Sequence, residues 1–101
     1  MGANFIYSDF FKSYLLEQRN YSAHTATAYL KDVEQFMTYC NEDEELRLDR
    51  LFTTKNLKEW IRAITRQEDL APATLHRKLS SIKTFARFLF KTERLAELPS
   101  I

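Results

Sequence analysis

One glycine and two prolines in 101 residues are too few turn formers for an all-β fold, which needs a turn signal every few positions. The same shortage excludes a glycine-rich phosphate loop. Cys40 is alone and cannot close an internal disulfide, so a reducing compartment is the natural expectation. It falls on an apolar helical stripe, where an inert thiol is expected rather than a nucleophile. No apolar run approaches the ~20 residues a membrane span needs, and the N-terminus lacks a signal-peptide core. His24 and His76 lie far apart, and no Cys/His spacing resembles a zinc site. The tyrosines Tyr7, Tyr14, Tyr21, Tyr29 and Tyr39 have no Arg and His gathered around them. The chain is therefore expected to be no enzyme by itself, to hold no metal or cofactor, to turn over no small molecule, and to be soluble and cytoplasmic.

What is present suits one helical domain. Hydrophobic residues make up 45% of the chain, and the aromatics are eight Phe, five Tyr and one Trp, enough for a bulky core in a single domain over residues 1–101. The spacing predicts a first helix from Ser8, as its cap, to about Arg19-Asn20, with Phe10, Phe11, Tyr14 and Leu15 as its stripe and Asn20 suited to a left-handed end. Those rings read either as core or as a surface facing a neighbour. A second helix opens at Ser22 and runs to about Asn41; Ala26, Tyr29, Leu30, Val33, Phe36, Met37 and Cys40 share its apolar face, while His24, Thr27, Ala28, Lys31 and Gln35 point away. Residues 41–45 read as an acidic, solvated loop without the ligand spacing of a calcium site. Leu46, Leu48, Leu51 and Phe52 are expected to tuck that connection onto the core. Thr53 or Thr54 caps a third helix carrying Leu57, Trp60, Ile61 and Ile64, with Trp60 as a core anchor.

The fourth helix, from Pro72 to about Thr92, carries the most distinctive charge pattern. Pro72 suits the first turn because its missing N–H is not needed there, although Ala71 before it is a poor cap. Leu75, Leu79, Ile82, Ala86 and Leu89 recur at three- and four-residue steps, and Arg77, Ser80, Thr84, Arg87 and Lys91 fall opposite. Residues 73–91 contain five Lys or Arg and no acid, although the chain nets only +1; the remainder carries ten cations against fourteen acids. Such a face could follow a DNA groove, with cations on phosphates, hydroxyls on phosphate oxygens and Arg on guanine edges, or could simply be solvated. Thr25 and Thr74 each lie shortly inside a new helix, an echo consistent with phosphate contact at two helix N-termini or with ordinary capping.

The string Phe11-x-x-Tyr14-Leu15 … Tyr21-Ser22-x-His24-Thr25-x-x-x-Tyr29-x-x-Asp32-x-x-x-Phe36 resembles the N-terminal region of tyrosine recombinases, the phage-integrase family. Leu70-Ala71-Pro72-Ala73-Thr74-Leu75-x-Arg77-Lys78-Leu79-Ser80-Ser81-Ile82-Lys83-Thr84-Phe85-x-Arg87-Phe88-Leu89 is similar to the last long helix of the same domain, and Leu95-Ala96-Glu97-Leu98-Pro99 to the exit into its linker. The resemblance implies an all-α, SAM-like core-binding domain: a compact bundle of four or five helices, forming half of a clamp on double-stranded DNA. It implies that the second and fourth helices face the major groove. DNA contacts carried over by position are His24, Thr25, Thr27 and Lys31 on the former, and Thr74, Arg77, Lys78, Ser81, Lys83, Thr84 and Arg87 on the latter. Arg77, Thr84 and Arg87 are favoured by the outward face, with Lys83 flanking. Implied partners are duplex DNA and other recombinase subunits in a bacterial or phage-derived, nucleoid-associated setting, with DNA recombination and integration as the process. The catalytic Arg-Lys-His-Arg set and nucleophilic Tyr of the family belong to a separate C-terminal domain that this sequence does not contain; a linker to it is expected from about residue 99. Ala71 stands where the family often has a capping Ser, and the near-neutral charge predicts weak DNA binding by the domain alone. A SAM-like protein-interaction module, docking through the Phe-rich first helix and Phe88/Phe90, is the competing expectation.

Overall fold

A computed structural model describes residues 7–40, 53–67 and 69–92. Among them the chain is all-α, with four helices and no strand: α1 (Ser8–Ser13), which widens into a π-helical turn over Tyr14–Gln18, α2 (Ala23–Cys40), α3 (Thr54–Gln67) and α4 (Pro72–Lys91). The acidic stretch 41–45, the apolar connection 46–52 and the expected linker near residue 99 lie outside the described residues.

Local chemistry sets most of the boundaries. The Ser22 Oγ accepts the Thr25 N–H at 3.1 Å, which makes Ser22 the cap of α2 as its sequence suggests. Of the two candidates for α3, Thr53 is the cap, its Oγ1 accepting the Asn56 N–H at 3.2 Å. Ala71 precedes α4 in extended conformation with no side-chain cap, and Pro72 occupies the first turn. Ser8 departs from expectation: the cap position is Tyr7, whose side chain makes no capping hydrogen bond.

The end of α1 is wound more loosely than an α-helix. Arg19 N–H reaches back five residues to the Tyr14 carbonyl (3.1 Å) and Tyr21 N–H six residues to that of Leu15 (2.9 Å). Asn20 between them has φ 56°, the left-handed turn its short amide side chain tolerates.

α4 packs chiefly against α2, and α1 and α3 close the core on either side. Phe11 meets Phe85 edge-on with ring centroids 4.7 Å apart and Phe88 at 5.4 Å, while Tyr14 lies 5.3 Å from Phe88. At the other end Phe36 meets Trp60 edge-on at 5.4 Å, so Trp60 is the core anchor expected of it. Two aromatics depart from expectation. Phe10, assigned to the apolar stripe of α1, is 68% exposed, whereas Phe88, offered as a docking surface, is buried.

Candidate nucleic-acid interface

Asp32 sits on the flank of α2 between the turns carrying Tyr29 and Phe36, and only 1% of it is exposed. A buried carboxylate must be compensated, and two cations from α4 do so. Arg77 donates from Nε to Oδ2 at 2.9 Å and from Nη2 to Oδ1 at 2.7 Å, a two-pronged pair. Lys78 donates from Nζ to Asp32 Oδ1 at 3.1 Å and to Gln35 Oε1 at 2.7 Å. Asp32 in turn holds the Arg77 guanidinium even more firmly protonated than usual, against the smaller opposing effect of burial. Among the described residues no buried side-chain N or O lacks a partner, so the seam is fully satisfied.

A second polar group closes the end of this seam. The Arg19 Nη2 donates to the Tyr21 hydroxyl at 3.3 Å, and its guanidinium lies 5.6 Å from the centre of the Tyr21 ring. That contact lowers the Tyr21 phenol pKa, with bonds from Tyr29 and Thr84 acting in the same direction. Burial raises that of Tyr29, whose ring meets Tyr21 edge-on at 5.3 Å.

The sequence-predicted contact residues separate into three groups. His24, Thr27 and Lys31 on α2 are exposed, as are Lys83 and Arg87 on α4, and those last three cations take part in no ion pair among the described residues. Arg77 and Lys78 are drawn together by Asp32; Lys78 is buried, and Arg77 keeps 41% of its side chain exposed. Thr25, Thr74, Ser81 and Thr84 are partly or fully covered. The Thr25 hydroxyl accepts from Ser22 at 3.1 Å, and the buried Ser81 hydroxyl donates to the Lys78 carbonyl of its own helix at 2.8 Å. Thr84, placed by helical geometry on the outward face, is 7% exposed. The covered sector of α4 extends over Lys78, Ser81, Phe85 and Phe88 to Thr84, because the helix meets neighbours on two sides. Its open stripe is accordingly His76 and, two turns on, Lys83, Arg87 and Lys91 at successive turns, with the half-buried Ser80 between His76 and Lys83.

Sequence reasoning missed Asp32 and Gln35 as members of this site. The available signal was a short carboxylate next to Val33 and three and four residues from Tyr29 and Phe36, where helical geometry puts it at the edge of the buried face. Among the described residues no group of His, Cys, Asp or Glu could hold a metal ion, and no helix is long and apolar enough to cross a membrane.

Residues 9–93 match the family described as phage integrase, N-terminal SAM-like domain. The chain is 32% identical over 89 residues to the tyrosine recombinase XerC of Listeria innocua, an alignment covering 88% of this chain and 29% of that protein. It is 33% identical over 88 residues to the XerC of Rickettsia rickettsii, covering 83% and 28% respectively. A putative tyrosine recombinase of Caldanaerobacter subterraneus is 33% identical over 90 residues, covering 89% and 30%. The chain thus spans less than a third of the length of these curated relatives. No solved structure matches it.

Proposed function

Because the chain belongs to the phage integrase N-terminal SAM-like domain family, we propose that it is the core-binding domain of a site-specific tyrosine recombinase, gripping duplex DNA at the recombination core site. The observation that carries this is the open stripe of α4: Lys83 and Arg87, a turn apart and in no ion pair among the described residues, on the helix that Asp32 ties to α2. Unpaired exposed cations on one face release counterions when they meet phosphates, which gives binding that weakens steeply with salt. Lys31 and Thr27 on the exposed side of α2 are the contacts proposed for the second helix. Strand cleavage and joining belong in this proposal to a catalytic domain elsewhere in the parent recombinase, and the working location is the bacterial nucleoid in the cytoplasm.

An amide-resolved NMR titration with duplex DNA at low and high salt tests the proposal. Lys31, Lys83 and Arg87 should shift together and the effect should fade with salt; Lys83→Ala should lower the slope of log K against log salt by about one. Shifts confined to the first helix, or none that depend on salt, would overturn it.

A second role follows from Phe10 and Phe90, which is 43% exposed. Phe10 lines, with Tyr14, Phe88 and Lys91, a groove of about 490 Å³ between α1 and the end of α4. Apolar surface of this kind suits docking by another recombinase subunit on the same DNA, which is compatible with the groove-facing role of α2 and α4.

A further inference from the structure

Resting on the DNA-binding reading above, we propose that Asp32 is a positioning residue: it fixes Arg77 so that the free edge of its guanidinium meets a paired hydrogen-bond acceptor on the duplex. That acceptor is either two phosphate oxygens or the O6 and N7 of a guanine. A guanidinium has five N–H donors in a rigid fork. Asp32 takes one from Nε and one from Nη2, which leaves both on Nη1 and the second on Nη2. One Nη1 hydrogen and the remaining Nη2 hydrogen form the end-on edge of the group, the other Nη1 hydrogen points back toward Cδ, and no described side chain accepts from any of them. The Arg77 side chain remains 41% exposed at the α2–α4 seam, although the Asp32 that holds it is buried. Lys78 holds Asp32 Oδ1 from within the same seam and is itself tied to Gln35. The carboxylate is therefore fixed before any ligand arrives, and the arginine with it. A guanidinium held this way loses less rotamer freedom on binding than a free one and offers a defined pair of donors. Lys83 and Arg87, exposed and unheld, can neutralise charge but present no fixed geometry.

The plainer account is that Asp32 only ties two helices together. The two accounts differ in sign for one substitution. Asp32→Asn keeps the shape and raises the net charge from +1 to +2. A purely structural Asp32 would leave DNA binding unchanged or, through the extra positive charge, strengthened. A positioning Asp32 predicts weaker binding despite that charge, on the order of tenfold, as when one bidentate contact is misaligned. Fluorescence anisotropy with a mixed-sequence duplex at several salt concentrations reads this, with circular dichroism confirming that each variant is folded. Arg77→Lys is the second variant: it keeps the charge, lacks the fork, and leaves Lys78 to compensate Asp32. It should lose about as much as Asp32→Asn, and the double variant no more than either alone. Arg77→Gln identifies the acceptor. A salt slope smaller by about one indicates phosphate; an unchanged slope with one guanine preference lost from a random-duplex selection indicates a base edge. Binding by Asp32→Asn or Arg77→Lys as tight as the parent chain, or losses that simply add, would overturn the proposal while leaving the DNA-binding reading intact. A parent chain that binds no duplex would remove both.

Discussion

α4 is held on two sides by opposite chemistry. Against α1 the contact is dry and aromatic, Phe85 and Phe88 enclosing Phe11 and Tyr14. Against α2 a part of it is ionic, with Asp32 between Arg77 and Lys78. Burial of rings is non-directional and scales with area removed from water, so the first seam chiefly supplies stability. A buried ion pair recovers little beyond its own desolvation, so the second contributes little net stability, and what it adds is a defined orientation of the two helices that carry the candidate DNA contacts.

That contrast can be broken by substitution. Phe85→Ala should cost about 3–5 kcal/mol in urea or thermal unfolding, and a loss below about 1 kcal/mol would mean the aromatic seam is not the main source of stability. Asp32→Ala should cost less, about 2–3 kcal/mol, since it leaves Lys78 buried with only Gln35 while Arg77 turns to water. Should it match or exceed Phe85→Ala, the division between the seams fails. Ser22→Ala, which touches neither seam but loosens the start of α2, should cost about 1 kcal/mol. The smallest effect is alkaline. The Tyr21 phenol lies below its ordinary pKa through Arg19, and Tyr29 lies above it through burial. Ultraviolet titration with Tyr21→Phe and Tyr29→Phe should show Tyr21 ionising first. For Tyr29, raised in the fold, the stabilisation is complete below the unfolded pKa and disappears as pH climbs through the folded one. For Tyr21, lowered in the fold, the contribution appears only above the unfolded value and partly offsets that loss.

The aromatic seam was partly legible and the ionic one was not, for a physical reason. Periodicity marks which residues of a helix are apolar, so Phe11, Tyr14, Leu15, Ile82 and Leu89 read as core; capping chemistry gives the Ser22 start and narrows the third helix to Thr53 or Thr54, and first-turn proline gives the Pro72 start. A helical wheel has one inside, however, whereas α4 has neighbours on two flanks. Thr84 therefore reads as outward until Tyr21 is placed beside it, and Lys83 moves from flank to centre of the open stripe. Asp32 and Arg77 are 45 positions apart, and nothing local couples them. Residue types on single helices were readable; partnerships between helices were not.

The wide turn over Tyr14–Gln18 has a consequence for how this sequence can change in length. A π-turn accommodates one residue more than an α-turn while leaving both flanks in phase. Loss of one exposed residue there, Glu17 or Gln18, would let the helix relax to α geometry with Phe11 still against Phe85. The same loss between Lys78 and Phe85 would rotate everything beyond it by about 100° and part the cations from the rings they accompany. Insertions and deletions are thus absorbed at the end of α1 and forbidden along α4, so natural length variation among such chains should collect at the former.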